Sequence, residues 1–324
     1  MQNRLWLRAV LGLGLALGTA CGDDEDGGDD RTPADTGVRD AAAPLDSASP
    51  LDSATPDAAR DASLPSIVEI ALADSRFTTL AAAVQRAGLV TTLTGPGPLT
   101  VFAPTNDAFA KLPAGTLDAL SVDQLKGVLT YHAVNGRAVS SSLKSGPVDT
   151  LAELSAFVTV SGGSVKVNDA NVTTADVQAS NGVVHVIDTV LLPPNLVEAA
   201  QYAGSFTTLV SAVGTAGLAE ALSDETASLT VFAPTDAAFA ALPPGTLAGL
   251  STTELADVLK YHVLPTEVLS TQLTAGAVNT LLTGKQVTIS LTPSPKVNDA
   301  NIIIKDVRTT NGVIHAIDKV LTVP

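Results

Sequence analysis

Apolar residues Ile67, Ile70 and Ala71 share one helical face, and Phe77, Leu80, Ala81 and Val84 continue at the spacing of an amphipathic helix. The short apolar run 99–103 predicts a strand stopped by Pro104. Thr105 is placed to cap a helix over 106–112, Asp107 in its first turn suits the positive helix end, and Pro113 ends it. Ser121 with Gln124 three residues on forms a capping box. The helix it opens has Leu125, Val128 and Leu129 on its apolar face and leads into Tyr131-His132. The period then changes. Stretches 156–160, 164–168 and 183–190 predict strands, with Gly162-Gly163 and Asn181-Gly182 as turns.

This pattern occurs twice. Residues 99–113 read LTVFAPTNDAFAKLP and 229–243 read LTVFAPTDAAFAALP, identical at twelve of fifteen positions. The runs VNDAN at 167–171 and NGVVHVIDTVL at 181–191 return at 297–301 and, slightly changed, at 311–321, always with an offset of 130 residues. A constant offset over separated blocks means two copies of one domain. The units are expected at 63–193 and 194–324, each of ordinary single-core size. Asn195 with Glu198 predicts a capped helix immediately after the junction, so the domains are expected to touch. Thr235 and Asp236 are expected to serve the second copy much as Thr105 and Asp107 serve the first.

The run TVFAPTNDAF, the Tyr-His pair downstream and the closing NGVVHVID resemble the signature of fasciclin (FAS1) domains, in family order and twice, over about 260 of the 324 residues. The resemblance implies an α+β fold: two tandem β-wedge domains, each of two β-sheets decorated by helices. It implies adhesion to cell-surface or matrix proteins or to surface polysaccharides. For the Tyr131-His132 and Tyr261-His262 pairs, just after a helix, two readings compete: a histidine hydrogen-bonded inside the domain, and a contribution to partner binding, which the resemblance implies. An envelope enzyme or small-ligand carrier reusing the fold is the alternative.

Residues 1–21 read as an export signal: Arg4 and Arg8, then an apolar run over 9–20, then Cys21, the chain's single cysteine. The run is too short for a membrane span of about 20 residues. Cys21 resembles the lipid-attachment cysteine of bacterial lipoproteins, which implies an exported envelope protein, with outer membrane mildly favoured. Residues 22–62 hold twelve acidic and three basic residues and almost no large apolar ones, the composition of a disordered acidic spacer. Over the whole chain 33 acidic residues oppose 18 basic ones, for a net charge of −15. That balance disfavours nucleic acid, and leaves a lipid on Cys21 as the expected membrane contact.

The four histidines fall at paired places, His132 with His262 and His185 with His315. His185 and Asp188, like His315 and Asp318, stand three apart; in a strand an odd separation places side chains on opposite faces, which argues against a dyad. No GxSxG, HExxH or Gly-rich phosphate loop occurs. Catalysis, cofactor and metal are not expected. The expected work of His185, Asp188, His315 and Asp318 is bonding to their own main chain.

Overall fold

The computed structural model describes residues 64–247 and 249–324. The first domain begins with three helices, α1 (Ile67–Ala73), α2 (Thr78–Arg86) and α3 (Val90–Leu93). Ser66 opens α1 with a reciprocal capping box to Glu69. Strand β1 (Leu99–Pro104) follows, then α4 (Asn106–Ala110), α5 (Thr116–Ala119) and α6 (Val122–Tyr131). The capping box expected at Ser121 and Gln124 is present. Helix α4 ends two residues before the expected Leu112, with Lys111 at its C-cap.

Six more strands complete the domain: β2 (Ala133–Asn135), β3 (Gly146–Asp149), β4 (Ser155–Ser161), β5 (Ser164–Val167), β6 (Ala170–Ala179) and β7 (Gly182–Ile187). Their order is β2-β1-β7-β6-β5-β4-β3. Strand β1 pairs parallel with β7 and antiparallel with β2. The long β6 passes between two sheets: Ala170 and Asn171 pair with β5, while Val172 onward pairs with β7. A register shift lies between Thr174 and Val177, where Asp176 takes φ 61°. Such a bulge sharpens the local bend, so the two sheets splay into a wedge. An isolated bridge between Val134 and Thr150 ties the wedge's free ends.

Alternation along the strands divides the core in two. Leu99, Val101, Ala103, Val184 and Val186 face the helices, in one cluster with Phe77, Leu80, Val84 and Leu129. Phe102 and Ile187 face the inside of the wedge, with Tyr131, Val158, Val167 and Leu191. Covered on both faces, β1 and β7 are buried throughout, as their nearly continuous apolar runs require.

The second domain repeats the plan with α7 (Leu196–Ala203), α8 (Thr207–Thr215), α9 (Ala219–Ser223), β8 (Leu229–Pro234), α10 (Asp236–Ala240) and α11 (Thr252–Tyr261). Strands β9 (Val263–Leu264), β10 (Gly276–Asn279), β11 (Gln286–Ser290), β12 (Lys296–Val297), β13 (Ala300–Thr309) and β14 (Gly312–Ile317) follow, in the order β10-β11-β12-β13-β14-β8-β9. The domains are packed together. Phe157 on β4 is buried in the same cluster as Leu196, Ala199 and Ala200 of α7, and the Arg308 amide on β13 donates to Ser155 Oγ over 3.1 Å. Arg308 also pairs with Glu153 across the junction at 3.3 Å.

Candidate functional site

The Tyr-His pairs sit where each long helix turns into the wedge. Tyr131 is 0% and His132 2% exposed, and Tyr261 and His262 are each 2% exposed. The side chains themselves therefore present almost no surface to a partner, which fits the reading of histidines bonded inside the domain. The Tyr131 hydroxyl donates to the Ser155 carbonyl and accepts from Asn168 Nδ2, both over 3.0 Å. Burial raises its pKa above the ordinary phenol value. Tyr261 does the same work with Gln286 and Asn298.

His132 is the C-cap of α6. Its Nε2 accepts from the Leu191 amide over 2.9 Å, so the proton lies on Nδ1, which donates to the Val128 carbonyl over 2.8 Å. His262 copies this with Leu321 and Val258. Burial pushes both imidazoles down from 6.5 to about 4, outweighing the carbonyl bond that favours the charged ring. Each ring thus ties the closing segment of its domain to the end of its long helix as a neutral group.

His185 and His315 hold the opposite tautomer. Nδ1 of His185 accepts from the Asp176 amide over 3.3 Å, and its Nε2–H donates to the Ala138 carbonyl over 2.8 Å. The ring stacks on Phe102, centroid to centroid 5.6 Å. His315 repeats these contacts with Asp306, Val268 and Phe232. The Asp176 carboxylate accepts from the Ser140 amide over 2.7 Å and from its hydroxyl. Partial burial opposes ionisation of Asp176, but the Ser140 bonds prevail and its pKa falls below the ordinary value. Ser140, Asp176 and His185 are neighbours without forming a relay. The hydroxyl is directed at the carboxylate, and both ring nitrogens bond main-chain groups.

Asp188 lies beyond the end of β7, where the expected strand was three residues longer. It accepts from the Asn171 amide over 2.8 Å and from Asn171 Nδ2 over 2.9 Å, pinning the start of β6. Burial raises its pKa, yet these bonds and Thr189 hold it below the usual carboxylate value. Asp318 binds Asn301 in the same way. The structure brings neither aspartate to its neighbouring histidine.

Thr105 caps α4 by accepting from the Ala108 amide, and Thr235 caps α10 through Ala238. Asp107 stands in the first turn of α4. Asp236 likewise stands in the first turn of α10. It occupies the place of Asn106, and its carboxylate also accepts from the Thr207 and Thr208 amides over 3.1 and 2.8 Å, thereby capping α8. Cys21 lies outside the described residues, as do the expected signal and the acidic spacer.

Sequence reasoning missed several buried polar anchors. Asn181 accepts from the Ile67 amide and donates to the Leu93 and Gly95 carbonyls, joining the helical layer to the β6–β7 turn. Asn168 takes φ 53°, and its side chain reaches across to the Phe157 amide and the Tyr131 hydroxyl. Asn181, Asp176, Ser140 and Thr100 all return unchanged 130 residues later, and that pairing was the signal available. Among the described residues no cluster of three His, Cys, Asp or Glu side chains could hold a metal ion. No helix among them is long and apolar enough to cross a membrane.

The fasciclin-domain family model matches residues 75–193 and 204–324. Protein sll1483 of Synechocystis is 52% identical over 141 residues, covering 42% of this chain and 78% of its own length. Transforming growth factor-beta-induced protein ig-h3 of Sus scrofa is 34% identical over 239 residues, 70% of this chain and 35% of that protein. The solved structure of a FAS1 domain pair from the insect cell adhesion molecule fasciclin I superposes with a TM-score of 0.53. It is 18% identical, and the match covers 76% of this chain and 97% of that one.

Proposed function

Since the chain belongs to the fasciclin family through two tandem domains, we propose that it is an adhesion protein of a bacterial cell envelope. Its domain pair binds cell-surface or matrix proteins or polysaccharides. The observation that carries this reading is the consumption of the chemistry-bearing side chains. In both domains the histidines, the Tyr hydroxyls and the Asp176 and Asp188 carboxylates with their counterparts bond groups of their own domain. What remains for a partner is the outer surface of a joined pair. A joined pair raises avidity toward a repetitive surface when both modules engage together.

The finer proposal is a lipid on Cys21, with residues 22–62 as the spacer that lifts the pair off the membrane. The acidic balance of the chain disfavours direct contact with anionic lipid, which supports membrane contact through that lipid. The purified protein is expected to bind cells or extracellular matrix saturably. Protein that leaves adherence unchanged at every concentration rejects the adhesive reading. Cys21→Ala is expected to accumulate as precursor and to take up no radioactive palmitate. Normal processing of that variant, with no labelling of the native chain, rejects the lipid.

A further inference from the structure

Beneath the helices of the first domain, against the faces of β1 and β7, lies an apolar cavity of about 90 Å³. Its polar lining side chains are Gln85, which is exposed at the surface, and His132, whose two ring nitrogens are already bonded. An apolar space of this kind stays dry and receives apolar atoms. Leu72 and Val90, 56% and 36% exposed, stand among its lining residues and mark where it meets solvent.

The second domain supplies an internal comparison. The space under its equivalent helices is about 30 Å³. Val210, Val263 and Ile314 fill the places of Ala81, Ala133 and Val184, adding five carbon atoms, while Ala199 in the place of the lining residue Ile70 removes three. At the helical rim, Gln201 and Ala219 replace Leu72 and Val90. One fold therefore occurs with the cavity reduced to about 30 Å³ and its rim less apolar, and again with a cavity of about 90 Å³ and an apolar rim. The fold does not require the space.

We propose that the first domain is a binding site for the end of a single aliphatic chain of a free amphiphile. The chain end enters between α1, α2 and α3, and Leu72 and Val90 cover the part that emerges. The volume selects a narrow chain: a dry apolar cavity that admits benzene measures about 150 Å³. The net charge of −15 disfavours an anionic bilayer as the source of the chain. This site adds a small-molecule function to the adhesive reading and does not depend on it.

The test is a methyl NMR titration of the full chain with 1-octanol, with phosphatidylcholine vesicles as a separate arm. Saturable shifts are expected at Leu93, Val101 and Val184, without matching shifts at Leu222, Val231 and Ile314. A variant carrying Ala81→Val, Ala133→Val and Val184→Ile, with Ile70→Ala to match the second domain, is expected to lose binding at least tenfold while remaining folded, since the second domain folds with that set. A second variant, Leu72→Gln with Val90→Ala, leaves the interior intact and is expected to weaken binding severalfold. Shifts that never saturate, that are equal in both domains or that survive both variants overturn the proposal. Vesicle binding without octanol binding overturns it as well. So does a dimer that Leu72→Gln dissolves, because the rim then belongs to a second copy.

Discussion

The ring of Phe157, on β4 of the first domain, lies 6.4 Å from the ring of Tyr202, on α7 of the second, inclined at 48°. Phe157 is 2% exposed although it belongs to the wall of a wedge whose own core lies on the other side. Its counterpart in the second domain is Thr288, since the Phe157 amide donates to Asn168 and the Thr288 amide to Asn298. Thr288 is exposed. The apolar contact therefore joins the first domain to the second and is not offered onward. Phe157→Thr is expected to cost about 3 kcal/mol, in the range for deleting a buried aromatic ring. Because the loss falls on the junction, calorimetry should show one unfolding transition becoming two. A variant that melts in a single transition at the native temperature rejects a coupled pair.

His132 and His262 make stability depend on pH below neutrality. Their folded pKa of about 4 lies under the ordinary 6.5, so the unfolded chain binds more protons between those values. Stability is therefore complete above about pH 6.5 and falls as pH drops toward 4, by at most roughly 3 kcal/mol for each ring. Urea midpoints measured at pH 7, 5.5 and 4.5 should fall in that order. Nitrogen NMR at pH 7 should place the proton on Nδ1 of His132 and His262 and on Nε2 of His185 and His315. Equal midpoints at pH 7 and 4.5 reject the buried neutral state.

Much of this was legible in the chain. The capping boxes at Ser121 and Asn195, the strand before Pro104 and the Gly162-Gly163 turn have local causes, and each stands where the sequence puts it. Strand β6 carries no alternating signal because it is largely uncovered: between Asn171 and Gln178 exposed and partly exposed residues succeed one another without alternation. Its pairing is held by Asp188 from seventeen residues away and by the bulge at Asp176, neither of which has a local period. The repeat marks the Tyr-His pairs, but a motif does not reveal which way a side chain faces. Their burial follows from packing between helix end and wedge, a long-range relationship.

Glycine positions separate backbone approach from mere flexibility. A Cβ on Gly182 would stand 1.9 Å from the Leu99 carbonyl oxygen, and one on Gly312 would stand 2.0 Å from that of Leu229. Both obstacles are backbone atoms of the paired central strand, so neither can swing aside. Gly182→Ala is expected to destabilise by about 3 kcal/mol, through strain in a packed core. Gly127 is the contrast, inside α6 with nothing within 4 Å of an added Cβ. Gly127→Ala should stabilise by about 0.5–1 kcal/mol, because alanine loses less backbone entropy in a helix. Denaturant midpoints of the two variants moving in the same direction would reject this distinction.

Asp236 offers a test in which the protein already contains the conservative variant. Asp236 accepts from the Thr207 and Thr208 amides and from the Thr207 hydroxyl, and Asn106 accepts at the matching Thr79 amide and Thr78 hydroxyl. Asn106 also donates to the Ser75 carbonyl, which a carboxylate cannot do. Asp236→Asn therefore keeps the cap and loses the charge at the positive end of α8, at a cost of about 0.3–1 kcal/mol at pH 7. Asp236→Ala loses the cap itself and is expected to cost about 1–2 kcal/mol. Burial raises the Asp236 pKa, but the bonds from Thr208 and Thr207 prevail and hold it below 3.8. A depressed folded value means that its contribution is present above the unfolded pKa and disappears as pH falls through the folded one. The gap between native protein and Asp236→Asn should thus be steady from pH 7 to about 5 and close in stronger acid. The histidine effect is common to both proteins and cancels in the comparison. A gap that widens in acid, or Asn and Ala variants of equal stability at pH 7, would mean that the carboxylate is not the cap of α8.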